Sequence, residues 1–113
     1  MIIVDVSRNH DLMIECFTMS GHAESGPYGQ DLVCAGASAV SIGTLNAIAT
    51  LCDIELDVES KEEGGFLRCC VPSDVDEAAF EKIQLLLEGM LVSLQSIAEE
   101  YRAFIKINDK LGR

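Results

Sequence analysis

His22 and Cys34 bracket the stretch AESGPYGQDLV, which holds Gly26, Pro27 and Gly29 and is poorly suited to packing. Imidazole beside a thiol is the smallest set that supports nucleophilic catalysis. The ring takes the thiol proton, the thiolate attacks a carbonyl carbon, and the ring returns the proton to the leaving group. Cys34 falls where the glycine-bearing loop gives way to small apolar residues, in DLVCAGASAV. A helix starting there points unpaired N–H groups and partial positive charge at the sulfur, which favours the reactive thiolate. The N–H groups of Cys34 itself and of Ala35 or Gly36 would then surround an oxyanion formed beside it. Asp31 has two roles open to it, capping the helix start or orienting the histidine, and capping is the simpler. Ser38, one helical turn beyond Cys34, faces the same way and either supports the site or bonds only locally. Against catalysis stands the ordinary fate of a lone thiol and a lone imidazole, a packed cysteine and a surface histidine.

The elements that must hold these two residues can be read from periodicity. IIVDVS at 2–7 alternates, RNHD at 8–11 reads as a hairpin turn, and LMIECFTMS at 12–20 is a second strand. From Cys34 or Ala35 to about Cys52 the spacing of Val40, Leu45, Ile48 and Leu51 predicts a helix. Ala35, Gly36, Ala37, Ala39, Gly43 and Ala47 keep it thin, and its near absence of charge predicts burial against a sheet and a further surface. IELDVES at 54–60 alternates, with Ile54, Leu56 and Val58 facing in. KEEGG is a turn, and FLRCCV returns as a fourth strand. Pro72-Ser73-Asp74 then opens a long helix to about Phe104, with Phe80, Ile83, Leu87, Met90, Leu91, Leu94 and Ile97 on one stripe. The order ββαββα describes one two-layer α+β domain over residues 1–113. Its sheet is four-stranded and mainly antiparallel, wet on one face, with two helices packed on the other. Leu85, Leu86 and Val92 widen the stripe, through either a dimer contact or a broader helix–helix contact. The tail KINDKLGR carries no signal.

Bulk properties narrow the classes. Nineteen acidic against eight basic residues give a formal charge of −11, which repels a phosphate backbone, so no direct nucleic-acid partner is expected. A basic partner would be attracted, although solubility alone explains such a charge. No apolar run approaching about 18 residues stands out, and the start lacks the basic segment and cleavage site of a signal peptide. A soluble cytoplasmic protein with no membrane partner is the expectation. Five cysteines, Cys16, Cys34, Cys52, Cys69 and Cys70, make an odd count. With no secretory signal a disulfide framework is not expected, and Cys16, Cys52, Cys69 and Cys70 read as packing residues. With no CxxC pair and two histidines, no metal site is expected. His10, in the hairpin turn, reads as exposed.

The block SGHA, a short glycine-bearing loop, DLVCAGASAV and a small-residue helix together resemble the ribosomal-processing cysteine protease family called Prp. The element order and the late stretch MLVSLQSIAEEY at 90–101 are similar as well. The resemblance implies that His22 and Cys34 form a catalytic dyad needing no metal or organic cofactor. It implies a substrate, the N-terminal extension of the twenty-seventh large-subunit ribosomal protein, and a homodimer. It also gives the loop a purpose, because residues 23–33 would be a mobile lid that closes over peptide and excludes water. Three other readings use the same residues: a non-catalytic dimeric peptide-binding ribosome-assembly adaptor, a thiol or metal sensor, and a thioesterase or amidase built on the same pair.

Overall fold

Period-two alternation at the start of the chain produces the centre of a sheet. In the computed structural model, which describes residues 1–23, 26 and 31–111, β1 (Ile2–Arg8) buries Ile2, Val4 and Arg8 on one face and leaves Asp5 and Ser7 exposed on the other. β2 (Ile14–Ser20) returns antiparallel to it. The turn between them is shaped by Asn9, whose Oδ1 accepts from the N–H groups of Asp11 and Met13. After α1 (Leu32–Cys52) come β3 (Asp57–Ser60) and β4 (Phe66–Cys70), an antiparallel hairpin whose second strand pairs with β2.

The sheet differs from the expected four antiparallel strands. After α2 (Glu77–Glu100) the chain forms β5 (Ile105–Asn108), which pairs parallel with β1. The result is a mixed five-stranded sheet in the order β3-β4-β2-β1-β5. The tail hid this strand because only Ile105 and Ile107 alternate there, too short a run for period two to register. At the other edge, β3 starts later than the alternation from Ile54 suggested, and Val58 is 48% exposed. An edge strand has a neighbour on one side only, so its inward face is incompletely covered.

Both helices begin on an aspartate rather than where apolar spacing alone placed them. Asp31 caps α1, so the helix starts two residues ahead of Cys34. Asp76 caps α2 by accepting from the Ala79 N–H at 2.8 Å, which leaves Pro72-Ser73-Asp74 outside the helix. At its far end α2 stops at Glu100, short of Phe104, because the chain must turn at Tyr101 to enter β5. Ile83, Leu87, Leu91 and Leu94 from α2 join Val33, Ala37 and Ile48 from α1 and Val4, Phe17 and Cys69 from the sheet in one core.

α1 is more apolar than its surroundings require. It is 21 residues long with a mean hydropathy of 1.7 over its most apolar window, enough by length and composition to cross a membrane. The expectation that no such run exists therefore fails, because alanine, glycine and serine between the larger residues disguise it. The helix also does not hide all its sides. Leu32, Ile42 and Leu51 are exposed. The thinness of the helix is not fully used within the chain either. A Cβ on Gly36 would make an ordinary 3.6 Å contact with Ile97 Cδ1, and one on Gly43 would meet nothing within 4 Å.

Two polar side chains brace the end of the sheet where β1 turns into β2. Gln84 of α2 acts as a surrogate strand, donating from Nε2 to the Ile14 carbonyl and accepting from the Ile14 N–H through Oε1, both at 2.8 Å. Arg8, expected in an exposed turn, is the last residue of β1 with a fully buried side chain. Its guanidinium donates to both oxygens of Glu88, to both of Asp109 and to the Leu12 carbonyl. The two carboxylates hold its pKa above the usual guanidinium value. Removing the cation takes away the charge that compensates the Asp109 carboxylate, whose side chain is 1% exposed. Arg8→Ala is therefore expected to cost about 3–5 kcal/mol, read from the urea midpoint at unchanged m. A loss no larger than that of a surface substitution would show that the cluster contributes little.

Candidate active site

The site is assembled where β2 ends. Ser20 is the last strand residue, and Gly21 follows with φ of +86°. A side chain at Gly21 would run into the Met1 carbonyl, so only glycine lets the chain pass the start of β1 there. The Gly21 N–H donates to the Gly65 carbonyl at 2.8 Å, tying this corner to the turn between β3 and β4. His22 comes next and is exposed, whereas Ala23 is 2% exposed and belongs to the core.

Across from this corner stands the first turn of α1. Asp31 Oδ1 accepts from the Cys34 N–H at 3.0 Å, the capping role. Cys34 is half-buried, and the Ala23 N–H donates to its Sγ at 3.2 Å. A hydrogen bond to sulfur favours the ionised over the neutral thiol, and so does a place in the first turn of a helix. Ser38, one turn further on and exposed, lines the same cleft. The cleft encloses about 340 Å³, with His22 and Cys34 both in its wall beside Met19, Ile42 and Phe66. Lys61 lies at this wall too, its Nζ 5.5 Å from the Phe66 ring centre.

His22 and Cys34 thus line one cleft. The backbone N–H groups expected to face an oxyanion are engaged within the helix start. The Cys34 N–H is engaged by Asp31, and the Ala35 N–H donates to the Asp31 carbonyl at 3.0 Å. Starting the helix at Leu32 puts Ala35 and Gly36 inside the i→i−4 ladder, where N–H groups are already spent. Sequence reasoning missed the Ala23 N–H, which has no signal beyond its place after His22. It also missed Gly65, legible only as half of a turn doublet. The span 23–33 read as a lid is fixed at both ends, by buried Ala23 and by the helix from Leu32 onward. Residues 24, 25 and 27–30 of that span lie outside the described residues.

The other thiols divide into two kinds. Cys16 and Cys70, expected to be packing residues, form a disulfide. Strand register is the cause: they are direct partners across β2 and β4, on the face away from the helices. Compartment arguments from sequence cannot see such a pairing. Cys52 is half-buried at the core edge and Cys69 is 1% exposed. Burial pushes the Cys69 thiol from 9.0 up to about 11. His10 is exposed as expected, its side chain 90% accessible.

A thiol and an imidazole in an open cleft are the equipment of a cysteine protease, and comparison with known proteins gives that class. A family model described as Cysteine protease Prp matches residues 1–106. The chain is 40% identical over 111 residues to the Ribosomal processing cysteine protease Prp of Bacillus subtilis, covering 98% of this chain and 99% of that one. Two crystal structures of an essential ribosomal processing protease Prp from S. aureus share the fold. The complex with a covalently linked product peptide aligns with a TM-score of 0.87 at 41% identity, over 96% of this chain and 98% of that one. The complex with a substrate peptide aligns at 0.81 and 40% over the same shares. The protein is a cysteine protease. More narrowly, the chain belongs to the Prp family.

The thiol inventory can be checked directly. Unfolded without reductant, the protein is expected to titrate three thiols, those of Cys34, Cys52 and Cys69. Five would refute the Cys16–Cys70 bond. Folded at neutral pH, Cys69 is expected to resist iodoacetamide. Because folding raises its pKa, its contribution to stability is intact below pH 9 and lost as pH rises through about 11. Cys69→Ala should remove that part of the alkaline loss.

Proposed function

We propose that Cys34 and His22 form the catalytic dyad, and that the protein removes the N-terminal extension of the twenty-seventh large-subunit ribosomal protein. The observation that carries the assignment is the Ala23 N–H on Cys34 Sγ. It brings the peptide unit joined to His22 into contact with the sulfur. The family relatives support the substrate class, being ribosomal processing proteases with peptide complexes.

In the proposed reaction His22 takes the Cys34 proton and the thiolate attacks the scissile carbonyl carbon. A C–S bond forms, and the carbonyl electron pair moves onto oxygen. Collapse of that oxyanion breaks the C–N bond as protonated His22 gives its proton to the leaving amine. Water then hydrolyses the thioester, with His22 as base, and Cys34 regains its proton. The Ala23 N–H, already aimed at the reacting atom, is the nearest described donor for the negative charge as it leaves sulfur. Asp31 acts by fixing the helix turn that presents the thiol. Ser38 forms part of the cleft wall, one turn along the peptide path.

The protein acts as a homodimer in this reading. Leu32, Ile42 and Leu51 of α1 and Leu85 and Val92 of α2 are exposed apolar side chains on helices that are otherwise core elements. Between the helices runs a groove with Gly43 on one side and Gly89 on the other, where a Cβ would meet nothing within 4 Å. Such a furrow accepts a ridge from a second copy.

Cys34→Ala and His22→Ala are each expected to abolish cleavage of a synthetic peptide spanning the extension, with the urea midpoint little changed. Mass spectrometry reads the two fragments. Turnover by Cys34→Ala at the parental rate would end the proposal. Sedimentation equilibrium is expected to return twice the chain mass, and Leu85→Glu to shift it toward one. A monomer at micromolar concentration would remove the dimer.

A further inference from the structure

The turn joining β3 and β4 contains two glycines in the same left-handed conformation, Gly64 at φ +80° and Gly65 at φ +78°. Only one of them touches the site closely. A Cβ built on Gly65 would stand 2.8 Å from His22 Nε2, 3.4 Å from Cε1 and 3.5 Å from Cδ2, so one edge of the imidazole rests on this residue's backbone. The same atom on Gly64 would lie 3.9 Å from Cε1, an ordinary contact. Gly65 also accepts, through its carbonyl, the N–H of Gly21 immediately before the histidine. One residue therefore grips the backbone leading into His22 and limits where its ring can go.

We infer that Gly65 is a positioning residue for the reaction, a backstop without a side chain that holds the His22 imidazole in its working orientation. The inference rests on His22 being the base of the dyad. His22 is otherwise exposed at the rim of the cleft, free to sample several rotamers. Proton transfer to and from a thiol needs the ring within hydrogen-bond reach and aligned. A side chain at Gly65 would turn the ring away while leaving the thiol and the helix cap untouched.

The two glycines supply their own control. Gly64→Ala and Gly65→Ala meet the same left-handed backbone cost, and only the second intrudes on the ring. With the extension-spanning peptide as substrate, Gly65→Ala is expected to lose about tenfold or more in kcat with KM held within about twofold, as a small misplacement of a catalytic group would produce. Gly64→Ala is expected to stay within about threefold of the parent in both constants. The chain has two histidines, so the His22 Hε1 resonance is readily assigned with a His10→Ala variant. Its chemical shift should move in Gly65→Ala and stay in Gly64→Ala. Equal losses in the two variants, or a Gly65→Ala protein with parental kcat and a parental His22 resonance, overturn the inference. If Gly65→Ala does not fold, the double variant with His22→Ala should recover the urea midpoint of Gly64→Ala, because the intruded-upon ring is gone. A double variant that stays unfolded overturns it. Normal processing by His22→Ala strikes the dyad itself, and the resonance then still reports separately whether Gly65 holds the ring.

Discussion

A hydrogen bond from the Ala23 N–H to Cys34 Sγ joins the two halves of the site. On one side of it is the strand end that delivers His22. On the other is the helix start that delivers the thiol. Each half has its own device for precision. Gly21 turns the strand end past Met1, and Asp31 closes the first helical turn by taking the Cys34 N–H. The Asp31 contact engages the Cys34 N–H, and the Ala23 N–H reaches the sulfur from the opposite wall.

The sheet is braced at one end and open to chemistry at the other. Arg8 ends β1 among Glu88, Asp109 and the Leu12 carbonyl, and Gln84 completes the hydrogen bonding of Ile14 nearby. Ile2, at the opposite end of the same strand, lines the cleft. Buried ionic clusters are poor sources of net stability but strong penalties against wrong arrangements. Placed where β1, β2, α2 and the segment after β5 converge, this cluster specifies how the second helix sits on the sheet. The cleft end combines core side chains such as Ile2 and Met19 with Gly21, Gly64 and Gly65.

α1 serves two masters. Its buried side, with Val33, Ala37, Ser41 and Ile48, belongs to the core and holds Cys34 steady. Its other sides carry leucine and isoleucine into solvent in the single chain. A helix uniform in polarity has no intrinsic preference for which side faces the sheet. The orientation comes instead from Val33, Ala37 and Ile48 packing into the core with the larger residues of α2, while the Ser41 hydroxyl meets its burial by bonding back to the Ala37 carbonyl within the helix.

Local chemistry made much of this legible beforehand. His22 and Cys34 stood out because a histidine and a thiol flanked a segment unfit for the core. Four strands and both helices followed from periods of two and of three to four, which are local properties of the chain. What stayed hidden required partners distant in sequence. β5 exists because β1 offers it an edge, Arg8 is buried because Glu88 and Asp109 reach it, and Cys16 meets Cys70 only through the β2–β4 register. The engagement of the Cys34 and Ala35 N–H groups was hidden for a related reason: a shift of two residues in a helix start changes which N–H groups bond within it. The sequence alone thus determined that His22 and Cys34 flank one loop between a strand and a helix, since residue type and periodicity are written locally. Only the tertiary structure decided which backbone atoms and which glycine attend that pair, because such contacts exist only once strand register and helix caps have set the distances.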